Sequence, residues 1–169
     1  MPFTAGQKLT AAALNAATQK SAGLGRRITT SPLSASTADV AVLRCDDYPL
    51  LAGHRYRIFS SPLALDSSAA NDEIQARIRY TTDGSTPTTA SPILPGSSVA
   101  LRQVDPSVPE HRTIVTTYAP AADELISMLL CVRRIAGAGN ASIFADGTDI
   151  IEISVDHIGE DPGDTGTDL

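Results

Sequence analysis

Aromatic residues are scarce in this chain. Tryptophan is absent, and the aromatic residues together make up 4% of the 169 residues. Surfaces that stack sugars or nucleic-acid bases are built from exposed aromatic rings, so the composition argues against a stacking platform. Hydrophobic residues still reach 42% of the sequence, which is enough for a core that is built from isoleucine, leucine, valine and alanine.

Positive charge is also in short supply, with 13 lysine and arginine residues against 19 acidic residues and a net charge of −6. Because nucleic-acid binding needs a basic surface that displaces counterions, we expect no nucleic-acid partner. No apolar stretch approaches the length that crosses a bilayer, and the start lacks the basic segment and apolar run of an export signal. We therefore expect no membrane contact, and synthesis in a cytoplasm.

The sequence contains only two cysteines, Cys45 and Cys131. A chain that folds in a reducing cytoplasm keeps its thiols reduced. Each cysteine also lies in a stretch with the pattern of a β-strand. We expect two buried free thiols, and a disulfide between them stays open as an alternative because their number is even.

Recognisable groups of catalytic residues are missing as well. The three histidines, His54, His111 and His157, are far apart and show no metal-ligand spacing. The chain has no nucleophile elbow and no glycine-rich phosphate loop. Adjacent carboxylates occur at 46–47 and 72–73, but neighbouring residues of a strand point to opposite faces. The sequence therefore predicts no catalytic residue, no metal site, no cofactor and no enzymatic activity.

The sequence does contain a series of short segments with β-strand patterns. In residues 73–82, apolar residues alternate with polar ones, which places one face on a core and the other in water. Residues 150–158 alternate in the same way. Other strand patterns start near Asp39, His54, Val99, Thr113 and Ile143. About seven or eight short strands at roughly ten-residue spacing are typical of an all-β fold, an antiparallel β-sandwich or jelly roll.

Residues 124–135 fit two kinds of element. Leu125, Met128, Leu129 and Val132 match one face of a helix. The same stretch also matches a strand that is buried on both faces. Because it stands among strands of similar spacing, the strand is the favoured interpretation.

The first 36 residues differ in composition from the rest and predict an anchoring arm. Thr10 is placed to cap a short helix, with Leu9 and Leu14 on either side of the cap. A helix this short is unstable alone in water, so Phe3, Leu9 and Leu14 are the candidate partner-binding residues. The chain then divides into an arm (1–36), a β-sandwich domain (37–158) and an acidic disordered tail (159–169).

The segment YTTDGSTPTTASP, residues 80–92, is the candidate ligand loop. Asp83 and Gly84 predict a tight turn, since glycine tolerates the positive φ that such a turn requires. The segment resembles a short motif of β-sandwich modules that are attached to glycoside hydrolases. This resemblance implies a sandwich fold and contact with carbohydrate, for example a glycan on a host surface.

Three segments resemble minor structural proteins of tailed phages and prophages of actinobacteria. They are FTAGQKLTAAALNAAT (residues 3–18), LLAGHRYRI (50–58) and ARIRYTTDGSTPTTASP (76–92). The resemblance implies a virion protein, made in the cytoplasm of the host bacterium, that docks by its arm onto major capsid or tail proteins. It fits a capsid decoration or minor tail protein, and we expect a homotrimer because closed symmetry buries strand edges. The alternative is a carbohydrate-binding module for host attachment.

Overall fold

The computed structural model describes residues 21–32, 34–35, 37–146, 148–161 and 163. The predicted N-terminal helix, with Phe3, Leu9 and Leu14, lies outside the described residues, as do residues 164–169 of the expected acidic tail.

The described residues form eleven β-strands and no helix, so no helix in this part of the chain is suited to crossing a membrane. The strands are β1 (Ser21–Arg27), β2 (Val40–Leu50), β3 (His54–Ser60), β4 (Leu63–Ser67), β5 (Glu73–Thr81), β6 (Ile93–Arg102), β7 (Glu110–Arg112), β8 (Val115–Tyr118), β9 (Glu124–Ala136), β10 (Ala141–Phe144) and β11 (Ile151–Glu160).

The strands assemble into three sheets. Sheet A has the order β1-β11-β3-β8, sheet B the order β10-β4-β7, and sheet C the order β2-β9-β5-β6. Every pairing between neighbouring strands is antiparallel. The all-β, antiparallel part of the predicted fold is confirmed.

The two central strands of sheet C differ in how their faces are covered. In β5, Ile74 and Ile78 are fully buried while the alternate residues are more accessible, as its alternating sequence predicts. In β9, residues 126–132 are buried without interruption. Burial on both faces explains why apolar residues occupy this whole stretch apart from Ser127, and the prediction of a strand at 124–135 is confirmed.

A single aliphatic core lies between the three sheets. It combines Ile58 and Ile153 of sheet A with Leu65 of sheet B and Leu130 of sheet C, all of them fully buried. Among the buried core residues in the part of the chain that the structure describes, Tyr56 is the only aromatic one. The core is therefore aliphatic, as the composition predicts.

Three strands, β1, β4 and β7, are not predicted by the sequence pattern. Residues 21–27 lie within the expected arm, yet they pair with β11 in sheet A. Their glycines suggest a linker, but Gly25 has a steric role. A Cβ atom at this position would lie 2.5 Å from the Sγ of Cys45, so the close approach of β1 to β2 requires glycine.

Candidate ligand-binding loop

Residues 82–92 connect β5 to β6 and form a segment that we call the 82–92 loop. Gly84 has a φ of +76°, so the predicted turn after Asp83 is present. The Oδ1 of Asp83 accepts hydrogen bonds from the backbone N–H of Ser85 at 3.0 Å and from its hydroxyl at 2.5 Å. These bonds stabilise the carboxylate and lower the pKa of Asp83. The tip of the loop is thus fixed by its own side chains.

The middle of the 82–92 loop folds back over the outer face of sheet C. Pro87 is buried in an otherwise exposed stretch. Residues 87–89 lie across a shallow groove from residues 41–44 of β2, with Leu129 of β9 as part of the floor, and the groove has a volume of about 360 Å³. This contact helps to bury the second face of β9.

A cluster of charged side chains holds the base of the loop. Arg79 donates hydrogen bonds to the Asp39 carboxylate and to the backbone carbonyl of Ser91. Arg77 also binds Asp39, at 2.8 Å. The Asp39 side chain is only 1% exposed. The two arginines therefore compensate its buried negative charge.

A second groove, of about 260 Å³, lies on the loop side of β5 and is lined by residues 80–83 and Pro92. The ring of Tyr80 meets the ring of Tyr118 edge to face, with centroids 5.9 Å apart. Burial raises the pKa of Tyr118, and the hydrogen bond that its hydroxyl shares with Glu124 raises it further. The Oε1 atom of Glu124 is buried and has no hydrogen-bond partner among the described residues. The groove itself offers a half-buried ring, the Asp83 carboxylate and loop hydroxyls to a polar ligand.

The four tyrosines do not form the flat exposed platform that sugar stacking needs. They meet in two edge-to-face pairs, Tyr48 with Tyr56 and Tyr80 with Tyr118. Tyr56 is buried, and the other three pack partly against the core. Any sugar would meet ring edges and polar groups, so stacking on an open ring face is not available here.

The match to a known family falls on this loop. Residues 60–99 match the family model of the chitobiase/beta-hexosaminidase C-terminal domain. The matched segment runs from the end of β3 into β6 and includes the whole 82–92 loop. It covers less than half of the chain. No curated protein matches the chain.

Several solved structures match the chain at low similarity. The Eiger TNF of S. frugiperda has 14% identity and a TM-score of 0.42, covering 89% of this chain and 99% of that chain. The VP2 subviral particle of infectious bursal disease virus has 8% identity and a TM-score of 0.43, covering 83% and 37%. The Gap123 complex of Streptococcus agalactiae has 10% identity and a TM-score of 0.37, covering 81% and 26%. Similarity at these scores assigns neither fold nor function.

Of the adjacent carboxylates, Asp72 has a structural role. It is buried and accepts hydrogen bonds from the Ser67 hydroxyl at 2.5 Å and from the backbone N–H groups of Ala138 and Gly139, each at 2.9 Å. Burial opposes ionisation, but these bonds and the charge of Arg134 outweigh it and lower the pKa of Asp72. The carboxylate joins the loop before β5 to the loop after β9.

Both thiols are buried and free, as predicted. Burial raises the pKa of Cys45 and of Cys131 to about 12. Cys45 belongs to the core and lies opposite Met128, whereas Cys131 belongs to the other face of β9. A protonated, buried thiol is a poor nucleophile.

Although the three histidines are far apart in the sequence, two of them are neighbours in the structure. The pairing of β11 with β3 places the Nδ1 of His54 2.8 Å from the Nε2 of His157. His111 lies elsewhere, with Nε2 3.3 Å from Asp149. Only the register of two distant strands reveals the pair. In the described part of the chain, no group of three or more potential ligand residues is arranged to hold a metal ion.

Proposed function

We propose that the protein is a non-enzymatic structural component of a phage virion, which displays a β-sandwich on the particle surface as a capsid decoration or minor tail protein. The observation that carries the non-enzymatic part is how the buried polar groups are used. Asp39 and Asp72 are engaged in contacts that fix loops, and both thiols are buried with raised pKa values. The resemblance of residues 3–18, 50–58 and 76–92 to phage structural proteins supports the virion assignment.

Attachment to the particle is assigned to the N-terminal segment. Since residues 21–27 pair within sheet A, we assign docking to residues 1–20, which include Phe3, Leu9 and Leu14. Deletion of residues 1–20 should leave a folded β domain by circular dichroism but abolish its incorporation into virions. A matched deletion of residues 164–169 should be incorporated normally. Full incorporation of the shorter protein without residues 1–20 would refute the anchor.

We also propose a homotrimer. Exposed apolar side chains on edge strands support association between copies. Val115 of β8 is 57% exposed and Ile93 of β6 is 40% exposed, and these strands end sheets A and C. Proteins cover such edges to prevent uncontrolled pairing. Light scattering on the full chain should give three times the mass of one chain, and a monomer at micromolar concentration would exclude the proposal.

Carbohydrate binding is the second candidate function. It is favoured by the match of residues 60–99 to a domain of chitobiase and beta-hexosaminidase and by the groove beside Tyr80 and Asp83. In this alternative the groove holds a glycan of the host surface, with Asp83 as an acceptor for sugar hydroxyls.

The chain contains a close control for this alternative. Asp105 accepts hydrogen bonds from the N–H and hydroxyl of Ser107 at 2.8 and 2.6 Å, just as Asp83 does with Ser85. On a glycan array, Asp83→Ala and Tyr80→Ala should lose binding that Asp105→Ala retains. Absence of any binding by the wild-type protein, or equal loss in all three variants, would dismiss the groove as a glycan site.

A further inference from the structure

The paired histidines lie where the start of β3 pairs with the end of β11, the two central strands of sheet A. Their ring centroids are 4.8 Å apart, and the ring of Tyr56 packs on His157 at 5.2 Å. Beyond them, Asp161 donates its backbone N–H to the carbonyl of Gly53 and accepts a hydrogen bond from Arg55 at 2.7 Å. The histidines therefore belong to a small set of contacts that close the C-terminal end of β11 onto the start of β3.

The short distance between the two imidazole nitrogens requires a proton between them. Two imidazole nitrogens 2.8 Å apart need one N–H donor and one lone pair between them. Burial and the nearby His54 lower the pKa of His157, and a hydrogen bond with the Gly159 backbone acts in the opposite direction. Since Nε2 faces His54, this bond falls to Nδ1. His157 then carries its proton on Nδ1, so the Nδ1–H of His54 donates to the Nε2 of His157. The Nε2 of His54 keeps its lone pair.

Several charged or titratable groups surround the pair. On β3 and β11 and just after β11 they are Arg55, Tyr56, Asp156, Glu160 and Asp161, and from the neighbouring strands β2 and β8 they are Tyr48 and Tyr118. Glu160 is the register partner of His54. A proton added at the outer Nε2 of His54 leaves the bridging hydrogen bond in place.

We propose that the His54–His157 hydrogen bond is an acid-sensitive contact, which holds the end of β11 against β3 and opens when both imidazoles are protonated. The second proton must enter at the Nε2 of His157, and this converts the acceptor into a donor. Two N–H groups then face each other between two cations, and the bridge cannot persist. Burial and the nearby His54 lower the pKa of His157, in keeping with resistance to this second step. The inference does not depend on the proposed virion role.

Amide hydrogen exchange on the full chain tests the contact. Below the pH of the second protonation, protection of the amides of residues 157–161 should fall about tenfold per pH unit, because one proton is linked to opening. Amides at the centre of β5 should keep their protection. The double variant His54→Asn/His157→Gln offers an amide donor and an amide acceptor that do not titrate, so its protection should stay constant from pH 7.5 to 5. His111→Gln should behave like the wild type.

The nitrogen-15 shifts of the imidazoles provide a second test on the unaltered protein. At pH 7.5, Nδ1 of His54 should be protonated and Nε2 of His157 unprotonated. The opposite assignment, or pH-independent protection of residues 157–161 in the wild type, would overturn the proposal. So would a rise in their protection when Zn²⁺ is added at pH 7.5, if the double variant lacks it, because the pair would then be a metal site.

Discussion

Asp72 illustrates how one side chain can join parts of the chain that are far apart in sequence. Its oxygens accept from Ser67 and from two backbone N–H groups of the loop at 137–140. A Cβ atom on Gly137 would lie 1.8 Å from the Asp72 carboxylate, so the loop approaches as closely as glycine allows. In the sequence, residues 72–73 are simply two adjacent acidic residues. In the structure Asp72 is buried and Glu73 is exposed, so only Asp72 has this joining role.

Asp72→Ala should destabilise the protein by about 3 kcal/mol at pH 7, because buried donors lose a charged acceptor. The lowered pKa of Asp72 also sets the pH dependence. The stabilisation is fully present above the unfolded-state pKa of about 3.9 and is lost as the pH falls through the lower folded-state pKa. Urea denaturation at pH 7 and pH 3 measures both effects. Glu73→Ala, which alters the exposed neighbour, should change stability little; equal losses in both variants would contradict this role.

Gly25 limits how closely β1 can approach β2. Gly25→Ala should cost about 1–3 kcal/mol, as is typical when a methyl group is forced into a packed site, because the new Cβ meets the Cys45 Sγ and lies 3.3 Å from the Arg44 carbonyl. A double-mutant cycle with Cys45→Ala, measured by urea denaturation, should recover part of the loss. Strict additivity of the two substitutions would show that the glycine is not constrained by this contact.

At the scale of the elements, the 82–92 loop is organised by the face of sheet C that it covers. Arg79 bonds both to Asp39, just before β2, and to the far end of the loop. The bridge between Asp83 and Leu125 adds a contact to the start of β9. The loop is therefore held on three sides, which suits a surface that presents its residues in a fixed arrangement.

Arg79→Met should loosen the loop selectively. The substitution keeps a long apolar chain but removes the bonds to Ser91 and Asp39, while Asp39 retains Arg77. We expect faster amide exchange in residues 82–92 and a loss of stability of about 1–3 kcal/mol, less than for a buried charge that loses its only partner. Arg133→Met is the control, since Arg133 bonds to Gln75. Unchanged exchange in the loop would show that Arg79 does not hold it.

The strands that can be predicted from the sequence are those whose own pattern of apolar and polar residues shows which faces are buried. β5 and β11 alternate, and the centre of β9 is a mostly apolar run, residues 125–132. β7 has only three residues, all polar, and β1 carries a glycine that a neighbouring strand requires. Likewise the turn at Asp83 follows from local chemistry. The packing of Pro87 on sheet C and the meeting of His54 with His157 depend on long-range register, which local patterns do not contain.

At the scale of the whole molecule, three sheets share one aliphatic core. Both thiols lie in sheet C, Cys45 on its core face and Cys131 on the opposite face, and both are inaccessible in the folded state. A single core favours cooperative unfolding, so each thiol becomes exposed only when the sheet as a whole opens. The cysteines can therefore report on the folding of the entire domain.

The thiols predict a loss of stability at alkaline pH. Folding raises their pKa values to about 12, against about 8.5 in an unfolded chain. A raised folded-state pKa gives stabilisation that is complete below about pH 8.5 and declines above it, by about 1.4 kcal/mol per thiol for each pH unit. Urea denaturation at pH 7.5 and 9.5 should show this decline, and the double substitution Cys45→Ala/Cys131→Ala should remove it.

Native-state labelling with a thiol reagent should proceed at the same rate at both cysteines, because both thiols become exposed in the same unfolding event. Rapid labelling of either cysteine at pH 8 would mean that sheet C opens independently of the common core.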